Sequence, residues 1–168
     1  MIAPALATLL RPADVLLVGR TGGISDAIRR VTKSRFSHTA LLAQSHGAWI
    51  VIEATTDVNG CAARKLEVIT DDPTVETLVL RRIFGGITMF QDAVVQAMWL
   101  QTGLPYSQRV NLEILLGLPV RHADGINCAA AINEAYFHGL GVYLTDPALP
   151  TPEAIAQSPR LVEVWARP

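Results

Sequence analysis

Short apolar runs, broken by Gly, Pro and acidic turns, alternate along this chain with stretches of helical period. Asp14–Gly19 (DVLLVG) reads as a buried strand closed by glycine. Gly22-Gly23 marks a turn, and Ser25 is placed to cap a short helix over Asp26–Val31. Phe36–Ala43 and Ala48–Thr55 are predicted strands, joined by the polar turn Gln44-Ser45-His46-Gly47. Leu66–Thr70 and Thr77–Ile83 are further strand candidates around the turn Asp71-Asp72-Pro73.

Helical spacing is clearest in Thr88–Gln101. There Phe90, Ala93, Val94 and Ala97 fall at i, i+3, i+4 and i+7, and Gly103 follows as a stop. Leu112–Leu118 reads as a short helix or an apolar loop. Cys128–Phe137 is a second helix, with Cys128, Ala131, Ile132 and Ala135 on one face and Gly139 and Gly141 ending it. Thr151 caps a short helix over Pro152–Gln157, with proline at its first position. Leu161–Trp165 is the last strand. Several strands, two main helices and little strict alternation predict an α+β fold. With 168 residues, no internal repeat and no linker, the expectation is a single domain over 1–168.

Composition narrows the function classes. Half the residues are apolar and the formal net charge is −1. Such a balance argues against sequence-independent grip on DNA or RNA, which requires many phosphates to be neutralised. No stretch approaches the length of a membrane span. The apolar start Met1–Leu10 lacks a basic region and does not read as a signal peptide, so a cytoplasmic location is the default expectation. Two cysteines, Cys61 and Cys128, are too few for a disulfide framework and show no paired metal-ligand spacing.

Two polar residues intrude on strand faces that should be apolar. His38 shares a face with Phe36, Ala40 and Leu42; Glu53 shares one with Trp49, Val51 and Thr55. A buried carboxylate needs a partner. If the hairpin turns through Ser45-His46, or through a four-residue loop with the same register, then Leu42 faces Trp49, Ala40 faces Val51 and His38 faces Glu53. Directly opposed side chains have Cβ atoms roughly 4.5–5.5 Å apart. By itself this could be a structural ion pair.

Cys128 supplies a third group. Asn127 is a good N-cap, which puts the thiol in the first turn of a helix, where unpaired N–H groups and the helix dipole favour an anion. By itself Cys128 could be core filler. A helix-start thiol, a strand histidine and a carboxylate facing that histidine are the parts of a Cys–His–acid triad. Zinc ligation by the same three residues is the weaker alternative, because no local ligand spacing supports it. His46, His122 and His138 read as surface residues, and Cys61 as strand filler.

Several blocks resemble a known family. They are Asp14–Gly19, Ile24-Ser25, Ile28-Arg29, Ser34–Leu41 (SRFSHTAL), Val51–Thr55 (VIEAT), Gly103–Tyr106 (GLPY), Asn127–Ala130 (NCAA) and Asn133–Tyr136 (NEAY). In order and spacing they resemble the YiiX/YebB-like family, a circularly permuted branch of the NlpC-type, papain-like cysteine hydrolases. The resemblance runs from about residue 12 to 165. It implies a permuted papain-like fold, an antiparallel sheet packed against a cysteine-bearing helix and a second long helix. It implies Cys128 as nucleophile, His38 as base and Glu53 as orienting acid, with Tyr106 beside the cysteine near the oxyanion or substrate. The implied substrates are peptide or peptidoglycan-stem amides, with lipid acyl chemistry as the alternative and no cofactor required. A non-catalytic binding module on the same fold is the remaining reading. One departure is Ala129, where relatives often carry Ser; that residue holds none of the three chemical roles.

Overall fold

The computed structural model describes residues 4–85, 90–116, 118 and 125–167. Residues 88 and 89 of the predicted helix, residue 117 and His122 lie outside them. The elements are α1 (Pro4–Ala7), β1 (Val15–Arg20), α2 (Gly23–Val31), β2 (His38–Ser45), β3 (Ala48–Thr55), β4 (Gly60–Lys65), α3 (Glu67–Thr70), β5 (Val75–Ile83), α4 (Gln91–Trp99), α5 (Gln108–Leu115), α6 (Cys128–Leu140), α7 (Pro152–Ala156) and β6 (Leu161–Ala166). The strands form one antiparallel sheet in the order β4-β3-β2-β1-β5-β6. This is a mixed, α+β arrangement.

Both faces of the sheet are covered, which explains the weak alternation in the sequence. On one face Val15, Leu17, Leu41, Ala43 and Ile52 pack with α4 and α6. On the other, Leu16, Val18, Ala40, Leu42 and Val51 pack with Leu6 of α1 and Ile69 of α3. Helix α6 is buried nearly all round, and its small residues Ala129, Ala130, Ala131 and Ala135 allow close approach. At its far end Gly139 runs against Val94 of α4, where an added Cβ would stand 2.7 Å from Val94 Cα. The helix therefore passes through Gly139 and ends at Gly141, whose φ of 71° makes the left-handed cap.

Four sequence expectations change. The hairpin turns through His46-Gly47, both at positive φ, so Ser45 pairs with Ala48 and Leu42 with Val51. The register is thus shifted by two residues, and Glu53 falls opposite Ala40 rather than His38. Because the shift is even, each residue keeps its face. Next, the Leu66–Thr70 run is the short helix α3, not a strand; Leu66 and Ile69, three apart, both bury. The strand in this region is Gly60–Lys65, one element earlier than expected. Lastly, α2 begins at Gly23 with Gly22 as its cap residue, so Ser25 lies inside the helix. Phe36 precedes β2 and joins the core on the α6 side, not the face of Ala40 and Leu42. Helix α1 is additional to the expected elements; the remaining elements agree with expectation to within a few residues at their ends.

Candidate functional site

The site lies where the start of β2 meets the N-terminus of α6. Asn127 caps α6, its side-chain oxygen accepting from the Ala130 N–H at 2.7 Å. Cys128 is the first helical residue and is buried. The capping bond takes one first-turn donor; the Cys128 and Ala129 N–H groups have no acceptor within the helix. They point to where negative charge at the sulfur, or on a reacting oxygen beside it, is favoured.

His38, the first residue of β2, meets the sulfur at the strand's end. Burial by itself would lower the imidazole pKa. The charge and hydrogen bond of Cys128, and then those of Glu53, outweigh it and raise His38 to about 10. Its Nε2 lies 2.5 Å from Glu53 Oε2, which leaves Nδ1 for the sulfur. For Cys128, burial would push the thiol up; His38 and then the backbone N–H and hydroxyl of Thr39 outweigh it and hold the thiol below its ordinary value. The Thr39 hydroxyl is buried without a geometrically regular hydrogen bond of its own. The arrangement thus favours a thiolate–imidazolium pair.

Glu53 is wholly buried on β3. It reaches His38 diagonally across the β2–β3 ladder, a separation that a Glu side chain can bridge. Its other oxygen accepts from Arg64 Nη1 at 3.1 Å, and the same nitrogen lies 3.0 Å from Asp57 Oδ2. Desolvation would raise the carboxyl, but His38, Arg64 and Arg20 together leave it below its ordinary value. Arg20 in turn pairs with Asp72 at 3.4 Å.

Tyr106 is bridged to Ile126, just before the cap residue. Its hydroxyl accepts from Asn111 Nδ2 at 2.9 Å, and Asn111 Oδ1 accepts from Asn127 Nδ2 at 3.3 Å. Tyr106 is thereby coupled to the helix cap. Burial and then the Cys128 charge raise its phenol pKa, with Asn111 opposing. Because the phenolic oxygen accepts from Asn111, its own proton remains available to a group at the cysteine.

A narrow cleft reaches Cys128 between Ile28 of α2 and its cap residue Thr32, Asn111 of α5 and Thr151-Pro152 at the start of α7. A larger apolar depression between Ile83, Phe84, Phe90 and Leu140 lies elsewhere, and among the described residues no thiol, imidazole or carboxylate lines it.

All four sequence-singled residues, His38, Glu53, Tyr106 and Cys128, thus fall at one place. Of the others, His46 sits in the exposed turn. His138 is exposed and faces Glu134 at 3.5 Å. Cys61 is buried, and burial and then the Glu53 charge raise it to about 12. Sequence reasoning missed Arg64, Thr39 and Asn111. Arg64 could not be placed because β4 was not read as a strand. Thr39 had only its position beside His38 to signal it, and Asn111 had no local signal.

The backbone arrangement matches a solved structure. The crystal structure of the metalloprotein yiiX from Escherichia coli O157:H7 superposes with a TM-score of 0.78, covering 95% of this chain and 98% of that one at 19% identity. The fold is that of yiiX. The motif resemblance to the YiiX/YebB-like family therefore has a structural counterpart over nearly the whole chain, the likeness to yiiX being one of fold. No protein-family model and no curated protein sequence matches the chain. Among the described residues, no helix is long and apolar enough to cross a membrane.

Proposed function

We propose that this protein is a thiol hydrolase that cleaves an acyl bond, on a permuted papain-like, single-domain version of the yiiX fold. The observation that carries the reading is the chain Cys128–His38–Glu53, with Nε2 of the imidazole on the carboxylate and the opposite ring edge toward a helix-start thiol. Cys128 is the nucleophile, His38 the acid–base and Glu53 the residue that orients the ring.

The chemistry follows the charge states. The Cys128 thiolate adds to a carbonyl carbon, and the oxygen's developing charge meets the helix N–H groups and the Tyr106 hydroxyl. His38 gives its proton to the leaving nitrogen as the acyl carbon–nitrogen bond breaks, which leaves a thioester on Cys128. His38, now neutral, takes a proton from water; the hydroxide displaces the thiolate and releases the acid. Glu53 stabilises the imidazolium present before the first transfer and again after the second, without itself accepting the proton.

The substrates implied by the resemblance are amides in peptides or peptidoglycan stems. A lipid acyl substrate is the second reading, favoured by exposed Leu112, next to Asn111 of the cleft, and by exposed Leu116 one turn on. The yiiX structure is that of a metalloprotein. In this chain no three His, Cys, Asp or Glu side chains group as metal ligands among the described residues. Glu53 already has His38 on one oxygen and Arg64 on the other. These residues do not fit a metal, and no step here passes through one.

The test is iodoacetamide labelling across pH, read by peptide mass spectrometry, with Cys61 as internal control. Cys128 should react well below the free-thiol value of about 8.5, and His38→Ala should abolish that advantage. An inert Cys128, or one indifferent to His38, overturns the hydrolase reading in favour of a binding module.

A further inference from the structure

Helix α2 is amphipathic and turns most of its apolar side outward. At 100° per residue, Ala27, Val31, Ile24 and, at its edge, Ile28 share one side of Gly23–Val31, and Ser25, Asp26 and Arg29 the other. A surface helix ordinarily turns its apolar side to the core. Here Ser25, Asp26 and Arg29 are partly covered, as is Ile28 at the edge of the apolar side, and Ala27 is exposed. Ile24 is 59% exposed and Val31 50%. Arg29 fastens the polar side, its Nη1 donating to the Arg20 carbonyl and to Glu76.

Positive charge surrounds the outward stripe. Arg30, Lys33 and Arg35 are all exposed. No Asp or Glu occurs from Ala27 to Ile52, in a chain whose net charge is −1. Of the acids near this region, Glu76 and Asp26 pair with Arg29, and Glu153 accepts from Ser34, between Lys33 and Arg35, and from Gln157. Arg35 lies over the Phe36 ring, 4.8 Å from its centroid.

We propose that α2 docks this protein on an anionic lipid surface, with Ile24, Ala27 and Val31 at the headgroup–acyl boundary and Arg30, Lys33 and Arg35 on lipid phosphates. An apolar stripe flanked by cations is the combination such a surface selects. A nucleic acid would use the cations and leave the stripe in water. Ile28 of the same helix and Thr32, its C-terminal cap residue, line the Cys128 cleft, so the docking helix also borders that cleft. The proposal goes beyond the hydrolase reading and does not require it.

The experiment is vesicle sedimentation with the full chain, using phosphatidylcholine vesicles and phosphatidylcholine–phosphatidylglycerol vesicles. The protein should pellet with the anionic vesicles, less so as salt is raised, and weakly with phosphatidylcholine alone. Ile24→Ser/Val31→Ser should lower partitioning on the order of tenfold, and Arg30→Gln/Lys33→Gln by about as much. All four side chains are solvent-facing; an unchanged circular dichroism spectrum and Cys128 labelling rate establish that each variant is folded. Cys128→Ala should bind like the wild type, which separates this outcome from failure of the hydrolase reading. Absence of binding to anionic vesicles at low salt overturns the proposal, as does equal binding to both vesicle types or indifference to both double variants. Dimerisation that Ile24→Ser/Val31→Ser abolishes, without vesicle binding, overturns it in favour of a contact between copies.

Discussion

Arg64 Nη1 donates to Glu53 Oε1 at 3.1 Å while His38 holds the other carboxylate oxygen. Glu53 is fully buried, so each oxygen needs a partner if the group is to stay ionised. Arg64→Met removes one partner and leaves the carboxylate half satisfied. Hydrogen bonds to charged groups are worth about 1.5–3 kcal/mol, and Arg64 is partly exposed, so a loss of about 1–2 kcal/mol is expected near neutral pH. The carboxyl of Glu53 is held below its ordinary 4.5. Its contribution to stability is therefore present above that value and is lost as pH falls through the depressed folded value. In Arg64→Met this contribution shrinks, and acid unfolding should begin at higher pH. Urea titrations from neutral to acidic pH check it.

On the proposed hydrolase reading, the His38–Cys128 pair sets the working range. Hydrolysis should be bell-shaped in pH, rising as the depressed thiol ionises and falling as His38 loses its proton near 10. The raised imidazole also ties stability to pH. Its contribution is full below its ordinary 6.5 and is lost as pH rises through about 10. The melting temperature should thus fall at alkaline pH in the wild type and fall less in His38→Ala. Removing the acid–base group should cost about 10²–10⁴-fold in turnover. Calorimetric scans and initial rates across pH read both effects.

Asn127 has two tasks, capping α6 through Ala130 N–H and holding Asn111 beneath Tyr106. Asn127→Ala should lose about 1 kcal/mol from the cap alone. It should also slow labelling of Cys128 near neutral pH, because a frayed first turn stabilises the thiolate less. Asn127→Asp keeps the cap and should recover stability. Denaturant midpoints for both variants, set beside their labelling rates, separate the two tasks.

Gly139→Ala tests the closest approach of α4 and α6. The new methyl would meet Val94 backbone atoms at 2.7 Å, and backbone cannot swing aside as a side chain can. The expected cost is about 1–3 kcal/mol, despite the gain in helix propensity that alanine brings elsewhere. A melting temperature at or above the wild-type value would show that the helices separate freely.

How far the sequence reached depends on the residue. His38 and Glu53 were legible because charged groups stood at strand positions whose neighbours are apolar, and face assignment survives any even register shift. Their pairing geometry was not legible, since the turn could close at Ser45-His46 or at His46-Gly47. The left-handed backbone at both His46 and Gly47 decided it. Cys128 was placed by Asn127, a local signal. Arg64 was invisible because strand β4, four small residues followed by two cations, has no large apolar residue to announce it.

The sequence by itself determined the local matters: helix caps, buried runs, two strand faces each carrying one charge, and a thiol at a helix start. These follow from propensity and period over a few residues. Only the tertiary structure decided which distant groups meet. Joining β2, β3 and α6 brings residues 38, 53 and 128 together, and adding β4 supplies the cation behind the carboxylate. It also decided that α2 turns most of its apolar side outward, which no hydropathy pattern discloses, because amphipathicity fixes the two sides of a helix but not which one the rest of the chain will cover.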